Sequence, residues 1–243
     1  MPIRALTIDF WNTMVVARTG GAARQAQRLT QITHTAQRVR PATSQEEVRE
    51  ALAVAAARHD THWREEHRTP STDTLIGFVW QALDVEVDPA HHQATVRAVE
   101  EGLLHGAPDF AEGLTDALAW AADRYPLAII SDTMFSPGRV IRQLLDQRGT
   151  LKAFSAFVFS DEVGFSKPDR RAFDQAAAAL EVRPDEVLHI GDLRRTDIAG
   201  ARGAGALGAL YTGIHTDDGH PAQPHVHLAS WADLPQTLAQ LDG

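Results

Sequence analysis

Short apolar runs alternate with stretches of helical spacing over the second half of this chain, and that alternation limits the fold more than any other feature. The runs are 127–131 (LAIIS), 156–160 (AFVFS), 187–191 (VLHIG) and 207–211 (LGALY). Between and around them, apolar residues recur at helical intervals over 113–123, 137–147, 169–180 and 195–204, and again near 231–241. Strands that alternate with helices build βαβ units and a parallel sheet. One further run, 3–9 (IRALTID), stands alone at the start. From about Ala17 to Glu101 the character changes to Ala, Arg, Gln, Glu and His with few β-branched runs. Four helices are expected there, at 20–39, 45–67, 72–83 and 89–104, the second opened by a Ser44/Glu47 capping box. The fold class is therefore α/β: a Rossmann-like open parallel sheet core with an all-helical domain inserted after its first strand. The expected boundaries are 1–14 and 106–243 for the core and 15–105 for the helical insert. The stretch 213–228 reads as a long polar loop.

Composition narrows the partners. The 243 residues are 44% hydrophobic and 23% charged, ordinary for a globular protein. A net charge of −9 argues against nucleic acid or an anionic membrane surface as partner. No apolar run approaches the roughly 18 residues that suggest a membrane span, and no apolar stretch before Asp9 resembles a secretory signal. Cysteine is absent, which excludes disulfides and thiolate chemistry and fits a cytoplasmic location. Of 23 basic residues only Lys152 and Lys167 are lysines. In a chain that uses Arg for its other positive charges, a retained Lys suggests a need for a compact ammonium; chance is the alternative, and the better account of Lys152.

Ligands of open parallel sheets bind beyond the carboxyl ends of the strands. The first strand ends in Asp9, and 127–131 ends in Ser131-Asp132-Thr133. The run 156–160 leads through Gly164-Phe165-Ser166 to Lys167-Pro168, and 187–191 ends in Gly191-Asp192, with Asp197 five residues on. A carboxylate nucleophile, a hydroxyl, an ammonium and two further carboxylates thus converge on one edge. That set suits phosphoryl transfer. A divalent cation held by Asp9 and Asp192 would offset the repulsion between carboxylate and phosphate, and oxygen ligands favour Mg²⁺. Lys167 and the Ser131 hydroxyl would stabilise phosphoryl oxygens. Asp197 is either a second metal carboxylate or a helix cap.

In these motifs the chain resembles the haloacid dehalogenase (HAD) superfamily. Four match in order: Asp9-Phe10-Trp11-Asn12-Thr13, Ser131 after an apolar strand, Lys167-Pro168-Asp169, and Gly191-Asp192 followed by Asp197. The resemblance implies a HAD-like core and an Mg²⁺-dependent hydrolase, mostly phosphatases working through a phospho-aspartyl intermediate. It also implies that the insert is a helical cap selecting a small, phosphorylated substrate. It makes Asp9, Ser131 and Lys167 catalytic, and gives the metal Asp9, the Trp11 backbone carbonyl, Asp192 and Asp197. Substrate contacts are expected from Trp11, Thr13, Asp132 and Arg194.

One position departs from the pattern. Two residues after the nucleophile the family's phosphatases usually carry an Asp that serves as general acid and base; here it is Trp11. Losing a general acid typically lowers rates about 10²–10⁴-fold. Three readings stay open. The leaving group needs no proton, or His59, His62, Glu65, Glu66 or His67 supplies it. Alternatively the chemistry is that of the 2-haloacid dehalogenases, which have an aromatic residue at this place but work without metal and lack the Gly-Asp pair. The third is a non-catalytic binding relative. Arg18, Arg24 and Arg28 either select an acidic substrate or form a solvated helix face, and Trp63 and Trp80 read as core.

Overall fold

The structure, a computed structural model, describes residues 2–242. Six strands form one sheet: β1 (Ala5–Ile8), β2 (Leu127–Ser131), β3 (Ala156–Phe159), β4 (Val187–Gly191), β5 (Leu207–Tyr211) and β6 (Val226–Leu228). Their order is β3-β2-β1-β4-β5-β6 and every pairing is parallel. The expected α/β class with an open parallel sheet is therefore found. β1 and β4 are buried along their whole lengths, as a sheet covered on both faces requires. Ile8 pairs with Ile129 on one side and Ile190 on the other, which brings the ends of β1, β2 and β4 level. The chain leaves β1 toward β2 and β3, then returns to add β4 on the opposite side. The β1/β4 boundary is thus the place where strand order reverses, the usual ligand crevice of such sheets.

Ten helices complete the described residues. They are α1 (Gly21–Val39), α2 (Gln45–Glu65), α3 (Thr72–Leu83), α4 (Pro89–His105), α5 (Leu114–Ala122), α6 (Gly138–Gln147), α7 (Ser160–Val163), α8 (Arg170–Ala179), α9 (Ala199–Ala204) and α10 (Leu234–Asp242). The expected Ser44/Glu47 capping box is present, with Ser44 Oγ accepting from the Glu47 N–H at 3.2 Å and Glu47 Oε2 accepting from the Ser44 N–H at 2.7 Å. Asp88 caps α4 ahead of Pro89.

Three features differ from the sequence reading, the first being α7, which begins at Ser160 where the strand was expected to continue. β6 lies inside the stretch expected to be loop; it is three residues long, too short to show a period, and pairs only with β5 at the sheet edge. The helix expected from 195 begins as a π-turn over Arg194–Ile198 before α9.

By contacts the chain divides into two compact units. An α/β unit contains residues up to Ala17, Asp109–Asp132 and those from Leu145 onward. In it Ala128, Ile130, Val158, Phe173 and Ala176 form part of one buried cluster. A helical unit contains Arg18–Pro108 and Thr133–Leu144. Its second segment comes from beyond β2, in addition to the span that the sequence marks as helical. Ile32, Val48, Leu75, Ile76, Val79 and Val96 make its core, joined by Phe135 from that segment. Each fully buried Leu or Ile contributes roughly 2 kcal/mol. Among the described residues no helix is long and apolar enough to cross a membrane.

Candidate active site

A buried chain of polar groups runs along the carboxyl edge of the sheet in the α/β unit. Asp9 follows β1, and its N–H donates to the Ile190 carbonyl of β4 at 2.9 Å, fixing it at the strand-order reversal. Lys167 Nζ donates to Asp9 Oδ1 and to Asp197 Oδ1, both at 2.6 Å. Asp9, Lys167 and Asp197 are 5%, 2% and 1% exposed, so water screens none of these contacts well. The loop carrying Lys167 is itself tied down, since its backbone N–H donates to Asp132 Oδ1 at 2.9 Å. The Lys167–Pro168 peptide is cis.

Asp197 is the hub. Beside the ammonium, Oδ1 accepts from His189 Nε2 at 3.0 Å, while Oδ2 accepts from the Leu193 N–H at 2.9 Å and Thr196 Oγ1 at 3.2 Å. These four donors fill the four lone-pair positions of a carboxylate. His189 in turn accepts at Nδ1 from Thr7 Oγ1 at 2.9 Å. Burial holds the His189 ring below its usual range, so a neutral ring donating from Nε2 satisfies both contacts. Asp197 can approach so closely because residue 191 is glycine: a Cβ there would stand 2.3 Å from the Asp197 Cγ.

Charge is unbalanced at this edge. Asp9, Asp192 and Asp197 are all buried, and one ammonium serves them. Burial opposes the charge on Lys167, but Asp197, Asp9 and Asp132 outweigh it and hold the ammonium above its usual range. Burial also opposes ionisation of Asp197, yet Lys167 and His189 win and keep its carboxyl well below the carboxylate range. The deficit falls on the other two. Burial pushes Asp9 up to about 7 against the pull of Lys167. Burial, with Asp9 and Asp197 adding like charge, pushes Asp192 up to about 9. His215 Nε2 lies 3.5 Å from Asp192 Oδ2.

Two buried carboxylates short of positive charge are a donor set that fits a hard dication. Mg²⁺ takes few protein carboxylates and keeps several waters, so it needs no larger cluster. Among the described residues no group of three or more His, Cys, Asp or Glu gathers as metal ligands. Asp197, expected as either a metal carboxylate or a helix cap, accepts at both oxygens from protein donors and holds Lys167 in place.

Ser131 is buried at the end of β2, with a long 3.4 Å contact to the Asp132 carbonyl. Thr13 is fully buried, its carbonyl accepting from Trp231 Nε1 at 3.1 Å, while its hydroxyl has no partner. Trp11 is half-buried and meets the Phe10 ring edge-on, centroids 5.0 Å apart. Arg194, expected to face a substrate anion, is used as a strut. Its Nε donates to the Asp217 carbonyl at 2.6 Å and its Nη1 to the Ala222 carbonyl at 3.0 Å, holding the loop before β6. The proposed proton sources lie in the helical unit. His59 Nε2 is 3.4 Å from the Thr133 carbonyl and His62 pairs with Glu66 at 3.0 Å.

Residues 3–205 match the family model described as haloacid dehalogenase-like hydrolase. The chain belongs to the haloacid dehalogenase-like hydrolases. Among curated relatives, the phosphoserine phosphatase of Thermus thermophilus is 31% identical over 140 residues, 51% of this chain and 55% of that protein. A glyceraldehyde 3-phosphate phosphatase of Methanothermobacter thermautotrophicus is 33% identical over 118 residues, 48% of this chain and 49% of its own. The chain thus spans about half the length of the curated relatives it matches. In fold it resembles a 2-haloacid dehalogenase from Pseudomonas syringae, with a TM-score of 0.75 and 20% identity over 98% of this chain and 99% of that one. A HAD phosphatase from Thermococcus onnurineus gives 0.70 and 20% over 97% and 98%.

For this HAD-like hydrolase the sequence reading missed His189 and Thr7. A signal existed: both are polar residues inside otherwise apolar strands, and buried polar groups are expected to be hydrogen-bonded.

Proposed function

We propose that this chain is a phosphatase of a small phosphorylated metabolite, with Asp9 as nucleophile. The observation that carries the reading is the Lys167 ammonium held between Asp9 and Asp197 where the strand order reverses. Lys167 occupies Asp9 Oδ1, and Oδ2 attacks phosphorus. The bond from phosphorus to the leaving oxygen breaks and its electron pair departs with that oxygen. Water then attacks the acyl phosphate at phosphorus and frees phosphate and the Asp9 carboxylate. Ser131 and Lys167 hydrogen-bond the phosphoryl oxygens as charge develops, and Asp197 is a positioning residue that keeps the ammonium aimed. Mg²⁺ held by Asp9, Asp192 and the Trp11 backbone carbonyl would supply charge neutralisation at the phosphoryl oxygens. The helical unit would select the substrate.

Trp11 sets the preference within that reaction. An indole N–H does not shuttle a proton, so substrates whose leaving oxygen departs unprotonated, such as acyl and aryl phosphates, are hydrolysed best. The test is a panel of acyl phosphates, aryl and alkyl monoesters and 2-haloacids, each assayed with Mg²⁺ and with chelator. Phosphate release that needs Mg²⁺ and vanishes in Asp9→Asn supports the proposal. Trp11 also favours a second reading, carbon–halogen hydrolysis, where no proton is needed; halide release insensitive to chelator would replace the first reading with it.

A further inference from the structure

In the helical unit the half-buried Arg28 has, among the described residues, no anionic partner. Arg28 lies on α1, its guanidinium carbon 3.9 Å from the centroid of the Phe135 ring. Its Nε is buried with no hydrogen-bond partner, and among the described residues its guanidinium makes neither hydrogen bond nor ion pair. Burial, with like charge from Arg24 one turn away, pulls Arg28 down to about 10, and no acidic side chain opposes this. Arg24 on the same helix shows the ordinary arrangement, donating from Nη1 to the Thr19 carbonyl at 3.0 Å and to the Gly106 carbonyl. Buried N–H donors in folded proteins are normally hydrogen-bonded. The ring face offsets part of the cost but gives the buried Nε–H of Arg28 no acceptor.

Beside it a cleft of about 470 Å³ opens between α1 and α2, with Gln25, Ala26, Leu29, Arg49 and Leu52 among its walls. Among the described residues no carboxylate lines it. Arg49 also lines the cleft, with Nη1 paired to Glu46 at 2.6 Å on the exposed side. We infer that this cleft binds a small organic anion whose carboxylate or phosphoryl oxygens pair with Arg28 and whose aliphatic body lies against Leu29 and Leu52. A guanidinium fork matches both oxyanions bidentately, and aliphatic walls with a few placed polar groups are the usual make-up of a small-molecule site. The inference stands on the helical unit alone and is independent of the phosphatase reading.

The full chain, stripped of metal, is titrated calorimetrically with butyrate, butylphosphonate and, as control, butylammonium. The two anions bind saturably and the cation does not. Arg28→Met keeps the stem over Phe135 but loses the charge, and it weakens anion binding at least tenfold. Arg28→Lys keeps charge without the fork and falls between. Thermal unfolding adds a readout that a packing role would not produce: without anion, Arg28→Met melts no lower than wild type, because the buried, unpartnered Nε–H is gone. Added butyrate then raises the melting temperature of wild type only. Failure of wild type to bind, equal binding by Arg28→Met, or loss of binding in Ser131→Ala with Arg28→Met unaffected would overturn the inference. Activity tells the source of the anion. A loss of kcat/KM in Arg28→Met confined to monoesters that bear a carboxylate makes it part of the substrate. An effect of butyrate on p-nitrophenyl phosphate hydrolysis that Arg28→Met abolishes makes it a separate effector. Either result supports the site.

Discussion

Magnesium binding to this protein should expel protons, and the number is set by the charge deficit at the sheet edge. In the metal-free protein Asp192 sits at about 9 and Asp9 at about 7. At pH 7 the first is almost fully protonated and the second about half, so binding a dication to both carboxylates releases roughly 1.5 protons, shared by the pair as a coupled unit. The apparent affinity then rises about 30-fold per pH unit near neutrality, equivalent to about 2 kcal/mol per unit. It levels off above pH 9, where both groups are already ionised. Stability follows the same linkage with the opposite outcome for the metal-free state. Both folded pKa values are raised above the ordinary 3.8, so the folded protein holds more protons than the unfolded chain between about pH 4 and pH 9. The contribution is fully present below about pH 4 and is lost as pH rises through the folded values, so chelated protein melts progressively lower across that window. Calorimetric titrations with MgCl₂ in PIPES and in Tris, whose ionisation enthalpies differ, count the protons directly. Release below about 0.3 proton at pH 7, or an affinity flat between pH 6 and 8, would refute the assignment of these two carboxylates as a protonated ligand pair.

Three further outcomes test the chain behind the nucleophile. His189→Leu should lower kcat about tenfold or more with KM little changed, because Asp197 loses a donor and the ammonium its aim, while His189→Gln, which keeps an amide donor, recovers part of that loss; equal kcat in both variants at matched melting temperature would remove His189 from the chain. Gly191→Ala places a Cβ 2.3 Å from the Asp197 Cγ, and should cost about 1–3 kcal/mol by denaturant unfolding together with most activity. Trp11→Asp should raise hydrolysis of alkyl phosphates, whose leaving oxygen needs a proton, by up to about 10²-fold while changing acyl phosphates far less; a uniform response across leaving groups would show that Trp11 does not limit proton transfer.

Most of the secondary structure was legible in the sequence. The strand at 127–131 and the helix at 72–83 appear at the bounds that periodicity and caps imply, because those signals act between residues a few positions apart. β6 escaped because three residues at an edge carry no period, and their pairing with β5 is made across the loop rather than within it. For the site, the sequence supplied chemistry-bearing residues at strand ends but not their partners. The sequence places Asp197 as either metal ligand or cap; the structure surrounds it with four donors.

What the sequence alone determined is the βαβ order, the helical insert and the set of groups brought to one sheet edge, since strand and helix periods dictate which residue ends each element. The tertiary structure decided who binds whom. Lys167 reaches Asp9 across 158 positions and Thr7 reaches His189 across 182, and nothing local specifies such pairs. It also set Arg28 over the Phe135 ring at the wall of a cleft shared with α2, an arrangement that no local signal specifies. The physical reason is range: backbone preferences and caps act over a turn or two, whereas burial, charge balance and hydrogen-bond saturation depend on every element that folds against the group.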